Sequence, residues 1–313
     1  MRRAFLLRLC VLGVTMVGLA GCGSAAPRGT IAFSGVVHGV PGIYEVAASG
    51  AHLRRVTGPG SQLAWSPDGG RLAFLRNGSL WLVSGSNAVR RVVPGPVDEF
   101  TWSRDGRRIA YRGDDLTLSI ATTSGVVTRL TADARAPAWS PDGRLIAFVT
   151  SVAHVNDQGE DEYVAVVRPD GSGRTRLQLA FTTGVAWSPD SRRLAFAAPA
   201  AGLGFHHAGV YTMRPDGTDL RVVVRRPRFD AQGGDWSPDG SRIAYADAAG
   251  TWVVAADGRR LHRISSLDYG SWSPDGRWLA VQGARVVEIV PAGGGKPRVV
   301  VEAASIDSVA WKP

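Results

Sequence analysis

The sequence predicts an all-β chain, a seven-bladed β-propeller of four-stranded antiparallel blades, and three observations carry that prediction. A Trp-Ser-x-Asp motif recurs six times, an aliphatic-Ala-aromatic or aliphatic-Ala-Val triplet follows each copy, and the two chain ends hold complementary halves of a seventh. The repeated tryptophans are spaced 36 to 49 residues apart, which suits one blade per repeat.

The motif begins at Trp65, Trp102, Trp139, Trp187, Trp236 and Trp272; the first copy reads Trp65-Ser66-Pro67-Asp68-Gly69. Ser-Pro-Asp-Gly is strong turn chemistry: Pro presets φ, Asp bonds the backbone two residues on, and Gly accepts positive φ. Strands must therefore flank it, with the Trp ending the first. The second strand carries the triplet: Leu72-Ala73-Phe74, Ile109-Ala110-Tyr111, Ile146-Ala147-Phe148, Leu194-Ala195-Phe196, Ile243-Ala244-Tyr245 and Leu279-Ala280-Val281. Its large-small-large alternation has strand period, and the Ala is expected to let neighbouring sheets approach while the aromatic fills the gap. Two more strands follow in each repeat, as in the segments 80–83 and 89–93. At the ends, Ile31-Ala32-Phe33 is a triplet without a preceding Trp motif, and Val309-Ala310-Trp311 is a Trp strand without a following triplet. Pairing the last strand beside the first closes the ring and removes exposed edges.

On these motifs the chain from Thr30 to its C-terminus resembles the TolB-like propellers built of WD40-like PD40 repeats, departing at Arg104 and Ser191, where Pro and Gly are expected. The resemblance implies the fold. TolB itself has a six-bladed propeller and a separate N-terminal domain for which this sequence leaves no room, so the likeness does not transfer a function.

Before the propeller lie Arg2, Arg3 and Arg8, an apolar run over residues 9–19, and Leu19-Ala20-Gly21-Cys22. A charged start and a short apolar core read as a secretory signal. The last four residues resemble a bacterial lipobox, which implies cleavage before Cys22 and lipidation of its thiol. The expected organisation is a lipoprotein signal peptide over 1–21, a lipidated tether over 22–29 and a propeller over 30–313, placing the domain outside the cytoplasm and close to a membrane. Cleavage would lower the formal net charge from +9 to +6.

Composition sets further limits. A chain 44% hydrophobic and 20% charged is globular, and two Cys exclude a disulfide scaffold or a Cys-rich zinc site. The arginines are scattered instead of clustered, which argues against a nucleic-acid partner. The six Asp-bearing turns are expected to be structural, because six copies of a turn do not make one active site.

Candidate site residues lie where the chain departs from its repeat. Two insertions, 149–162 and 197–209, fall between the second and third strands of adjacent blades and so share a face. The first carries His154, Asp157, Glu160 and Asp161; the second carries Phe205, His206 and His207; the link 225–234 adds Arg228, Phe229 and Asp230. Loops that break a regular scaffold concentrate binding residues. No zinc or calcium pattern is met, so neither metal nor cofactor is expected. The reading is a membrane-anchored, non-enzymatic binding or scaffold propeller that recognises a protein or cell-wall ligand. The alternative is a lactonase-like or lyase-like enzyme with His206 or His207 as base. A third reading is a propeller that caps a larger complex through its sides. A peptidase is not expected, since no Gly-x-Ser-x-Gly elbow accompanies the propeller.

Overall fold

Every repeated Trp ends an innermost strand, and the turn behind it is one hydrogen-bonded unit. In the first copy Ser66 Oγ donates to Asp68 Oδ1 at 2.5 Å and accepts from Arg71 N at 2.9 Å, while Asp68 Oδ1 accepts from Gly70 N at 3.0 Å. The corresponding Ser-to-Asp bond recurs at Ser103, Ser140, Ser188, Ser237 and Ser273. All six serines are buried. Such bonds hold a carboxylate low: Asp68, Asp105, Asp190 and Asp239 all lie below the ordinary range, with the Ser hydroxyl as the largest cause, and Asp239 falls to about 2. The turn motif is thus consumed by structure, as the sequence implied.

The glycine of the turn is also explained. It has φ of +65° at Gly69 and +70° at Gly240, and Ser191 occupies the same left-handed region at φ 61°. Ser191 gains a compensating contact, because its Oγ accepts from Asp142 N of the preceding blade at 2.9 Å.

The computed structural model describes residues 26–153, 160–179, 182, 184–198, 208–226 and 232–313. Within them the chain forms seven four-stranded antiparallel sheets, each in simple up-and-down order. The ring closes as expected: Ser305–Trp311 pairs with Thr30–Val37, setting Ala32 opposite Ala310 and Phe33 opposite Val309. The blade holding both chain ends is counted here as the first.

The core consists of seven clusters, one between each pair of neighbouring blades. In each, the triplet Ala of one blade meets the aromatic or Val of the next: Ala73 with Tyr111, Ala110 with Phe148, Ala147 with Phe196 and Ala195 with Tyr245. The same pairing completes the circle through Ala244 with Val281, Ala280 with Phe33, and Ala32 with Phe74. Phe33, Phe74, Phe148 and Phe196 are 0% exposed, and burying one such ring stabilises by roughly 1.5–3 kcal/mol. A larger residue in place of Ala would hold the sheets apart.

The tryptophans add circumferential contacts. Trp102, Trp187 and Trp272 donate Nε1 to the carbonyls of Ala64, Ala138 and Asp235 in the preceding blade. At Trp65, Trp139, Trp236 and Trp311 the buried indole finds no protein acceptor among the described residues, so burial and not this bond is the common term. Cations stack on the same rings from the preceding blade: Arg71 on Trp102, Arg108 on Trp139 and Arg242 on Trp272. Lys312 takes that role at the closure, 4.8 Å from the Trp65 ring.

Several boundaries differ from the sequence reading: Ala197, Ala198, Ala208 and Gly209 at the ends of the second insertion, and Arg225, Arg226 and Gln232 to Gly234 of the link, lie in strands. Most of the 149–162 insertion is strand: Ile146–Ala153 and Glu160–Val167 pair as far as Ala153 opposite Glu160. The β-branched residues Val149, Thr150 and Val152 suit a strand and extend the hairpin instead of starting a loop.

Candidate functional site at the channel mouth

The ring has two unlike faces. The Ser-x-Asp turns and the links between third and fourth strands lie on one, the turn face. Links between second and third strands, and between blades, lie on the other, where the innermost strands begin and open the central channel.

On this channel-mouth face the strand Val97–Trp102 begins with two carboxylates. Arg112 on the adjacent strand pairs with both, 3.1 Å to Asp98 and 3.6 Å to Glu99. Glu99 also accepts from the backbone N–H of Ala136 in the next blade, where Ala136 sits at positive φ. The innermost strand is irregular here, which frees a side chain to cross between blades. Gln62, Asn77, Asp98, Glu99 and Arg112 line a polar cleft of about 500 Å³. Farther round, Arg135 pairs with Glu162 at 2.5 Å.

Asp235 and Tyr269 form a second polar group, from the sixth and seventh blades, with the phenol donating to Asp235 Oδ2 at 2.9 Å. Asp235 retains solvent contact, yet the surrounding protein raises its carboxyl pKa, an effect the Tyr269 bond opposes. Burial and the neighbouring carboxylate push the Tyr269 hydroxyl well above its usual value. A hydrogen-bonded carboxylate and phenol, both raised by their surroundings, can bind a polar ligand or exchange a proton with it.

The sequence candidates fare unevenly. Cys22, His154, Asp157, Phe205, His206, His207, Arg228, Phe229 and Asp230 lie outside the described residues. Glu160 and Asp161 are placed on the strand Glu160–Val167, opposite Ala153 and Val152 at the channel-mouth end of the fourth blade. Among the described residues no three His, Cys, Asp or Glu are grouped to hold a metal. Asp98, Glu99, Arg112, Asp235 and Tyr269 were missed. A signal existed for two: Asp235 precedes its Trp where the other copies have Ala, Thr or Ser, and Glu99 alone puts a carboxylate three residues before its Trp.

No protein-family model matches the chain, and no curated protein matches it in sequence. Solved structures do. An oligogalacturonate lyase in complex with manganese is 14% identical, with a TM-score of 0.63 over 88% of this chain and 86% of that one. An oligogalacturonate lyase from Vibrio parahaemolyticus is 11% identical, with a TM-score of 0.61 over 88% and 87%. A putative TolB from Agrobacterium tumefaciens is 17% identical, with a TM-score of 0.53 over 91% and 99%. These likenesses support a propeller with a TolB-like protein among its neighbours. They also correct the expectation of a non-enzymatic protein, which rested on the missing hydrolase domain and nucleophile motif. The match covers 86% and 87% of the two lyases, so a chain of this fold can be an enzyme without a separate hydrolase domain.

Proposed function

We propose that this protein is an extracytoplasmic propeller, tethered to a membrane through lipidated Cys22, whose channel-mouth face binds a protein or polymer of the cell envelope. The observation that carries this reading is the gathering of unrepeated carboxylates and of the longest links on one face. The strand ends Ala153 and Glu160, and Ala198 and Ala208, which bound the two longest links between second and third strands, lie there, as do Asp98 and the cross-blade carboxylates Glu99 and Asp235. Carboxylates paired with a guanidinium suit a ligand rich in hydroxyl or amino groups. Replacing both links by two-residue turns like His38-Gly39 should abolish ligand pull-down and leave the fold intact; an unchanged set of bound species would contradict the placement.

A second reading is favoured by the Asp235–Tyr269 pair: the bound polymer is also cleaved, as in a lyase-like propeller, with this pair handling the proton. Asp235→Asn should then stop product release while ligand still binds. Equal turnover by the variant would remove the pair from the chemistry.

A further inference from the structure

The two faces differ in charge as well as in regularity. Counting each link with its flanking strand residues among the described residues, the turn face carries about two basic side chains for every acidic one, and the channel-mouth face about one for every two. The formal positive charge of the chain is therefore not spread evenly: it belongs to the turn face. It includes a cleft of about 620 Å³ between the sixth and seventh blades, lined by Arg242, Arg259, Arg260 and His262 with Asp257 as the sole lining carboxylate.

The turn face is also apolar at its rim. Leu53, Val126, Leu220 and Leu261 are large exposed hydrophobics on the outer links of the first, third, fifth and sixth blades. Along the channel-mouth links and the residues flanking them, the large exposed hydrophobics among the described residues are Val40 and Leu116. Basic residues interleaved with exposed Leu and Val are the composition of a surface that lies on anionic lipid.

The position of the chain start agrees. Gly29 O accepts from Ala48 N, and Thr30 O accepts from Lys312 N, both at 2.9 Å or less, which pins residues 29 and 30 to the turn face. A tether from Cys22 to Gly29 spans at most about 30 Å. An anchor at its far end therefore holds the chain start, and the turn face that carries it, within about 30 Å of the lipid.

We propose that the turn face is a membrane-docking surface: its basic cleft takes the phosphate of an anionic phospholipid, its Leu and Val rim enters the headgroup boundary, and the channel mouth points away from the membrane. This rests on the reading of Cys22 as the anchor for its biological setting, though the surface itself is independent of how the N-terminus is held. Attraction across an aqueous gap decays over about 8 Å at physiological salt, so the short tether is what brings the arginines into range.

The test uses the full chain with one introduced cysteine, Ser241→Cys on the turn face or Ser266→Cys on the channel-mouth face. The chain is bound to phosphatidylglycerol or phosphatidylcholine vesicles and labelled with a membrane-impermeant maleimide. Peptide mass spectrometry reads each position separately from Cys10 and Cys22. On phosphatidylglycerol, position 241 should label about tenfold more slowly than 266. That protection should vanish on phosphatidylcholine, at high salt, and in an Arg259→Glu/Arg260→Glu chain whose thermal melt is unchanged. Equal labelling on phosphatidylglycerol, or equal protection on phosphatidylcholine, would overturn the proposal. The mass of the N-terminal peptide from cells tests the anchor separately: an unlipidated Cys22 defeats the anchor reading and leaves the vesicle result standing.

Discussion

The turn face and the channel-mouth face are built from the same repeats and use carboxylates in opposite ways. On the turn face Asp68, Asp105, Asp190 and Asp239 each accept from a buried Ser, and their pKa values fall. At the channel mouth Asp235 keeps contact with solvent and has one phenol for a partner, and the protein around it raises its pKa. A carboxylate that recurs in a satisfied turn serves the fold; one that occurs once, crosses between blades and titrates upward is available for a ligand. The difference separates repetition from function within a single chain.

The largest expected effect tests the shared scaffold beneath both faces. Phe148→Ala empties an inter-blade contact with Ala110 and should lower unfolding stability by about 3–5 kcal/mol, measured by denaturant titration. A loss below about 1 kcal/mol would show that the blades do not depend on this packing.

Next comes the turn. Ser237→Ala removes the hydroxyl that bonds Asp239 and receives Arg242 N, and should cost about 1–3 kcal/mol. The pH dependence has a definite sign. Because these carboxyls have folded pKa values below their unfolded values, their contribution is present above about pH 4 and is lost as pH falls toward about 2. Ser237→Ala should therefore flatten melting temperature against pH in that window. Asp235 has the reverse sign: its raised pKa means that stability declines as pH rises through it, so Asp235→Asn should melt higher than the parent at neutral pH.

The smallest effect concerns the closure. Lys312→Ala removes the stack on Trp65 and should cost about 0.5–1 kcal/mol, a shift resolvable by calorimetry. A null result would leave closure to the strand pairing of Ala32 with Ala310 alone.

The fold was legible because its determinants repeat. Ser-Pro-Asp-Gly turns, Ala-aromatic triplets and the offset chain ends each state one local rule many times, and together they yield blade number and closure. The site was only partly legible. Sequence reasoning looked for long links and found 149–162 and 197–209, but counted 149–153 and 160–162 as loop where β-branched residues build strand. It passed over Glu99 and Asp235 because single departures inside a conserved strand pattern are short signals. Arg112 and Tyr269 carry no such mark; only the pairing of strands and neighbouring blades brings them to the carboxylates.

The most direct test of the channel-mouth assignment is photo-crosslinking in living cells from position 98, compared with position 124 on the turn face. The account predicts an envelope species captured from 98, absent from 124, and lost when the 199–207 link is shortened. Capture of the same species from 124, or its persistence after that shortening, would contradict it.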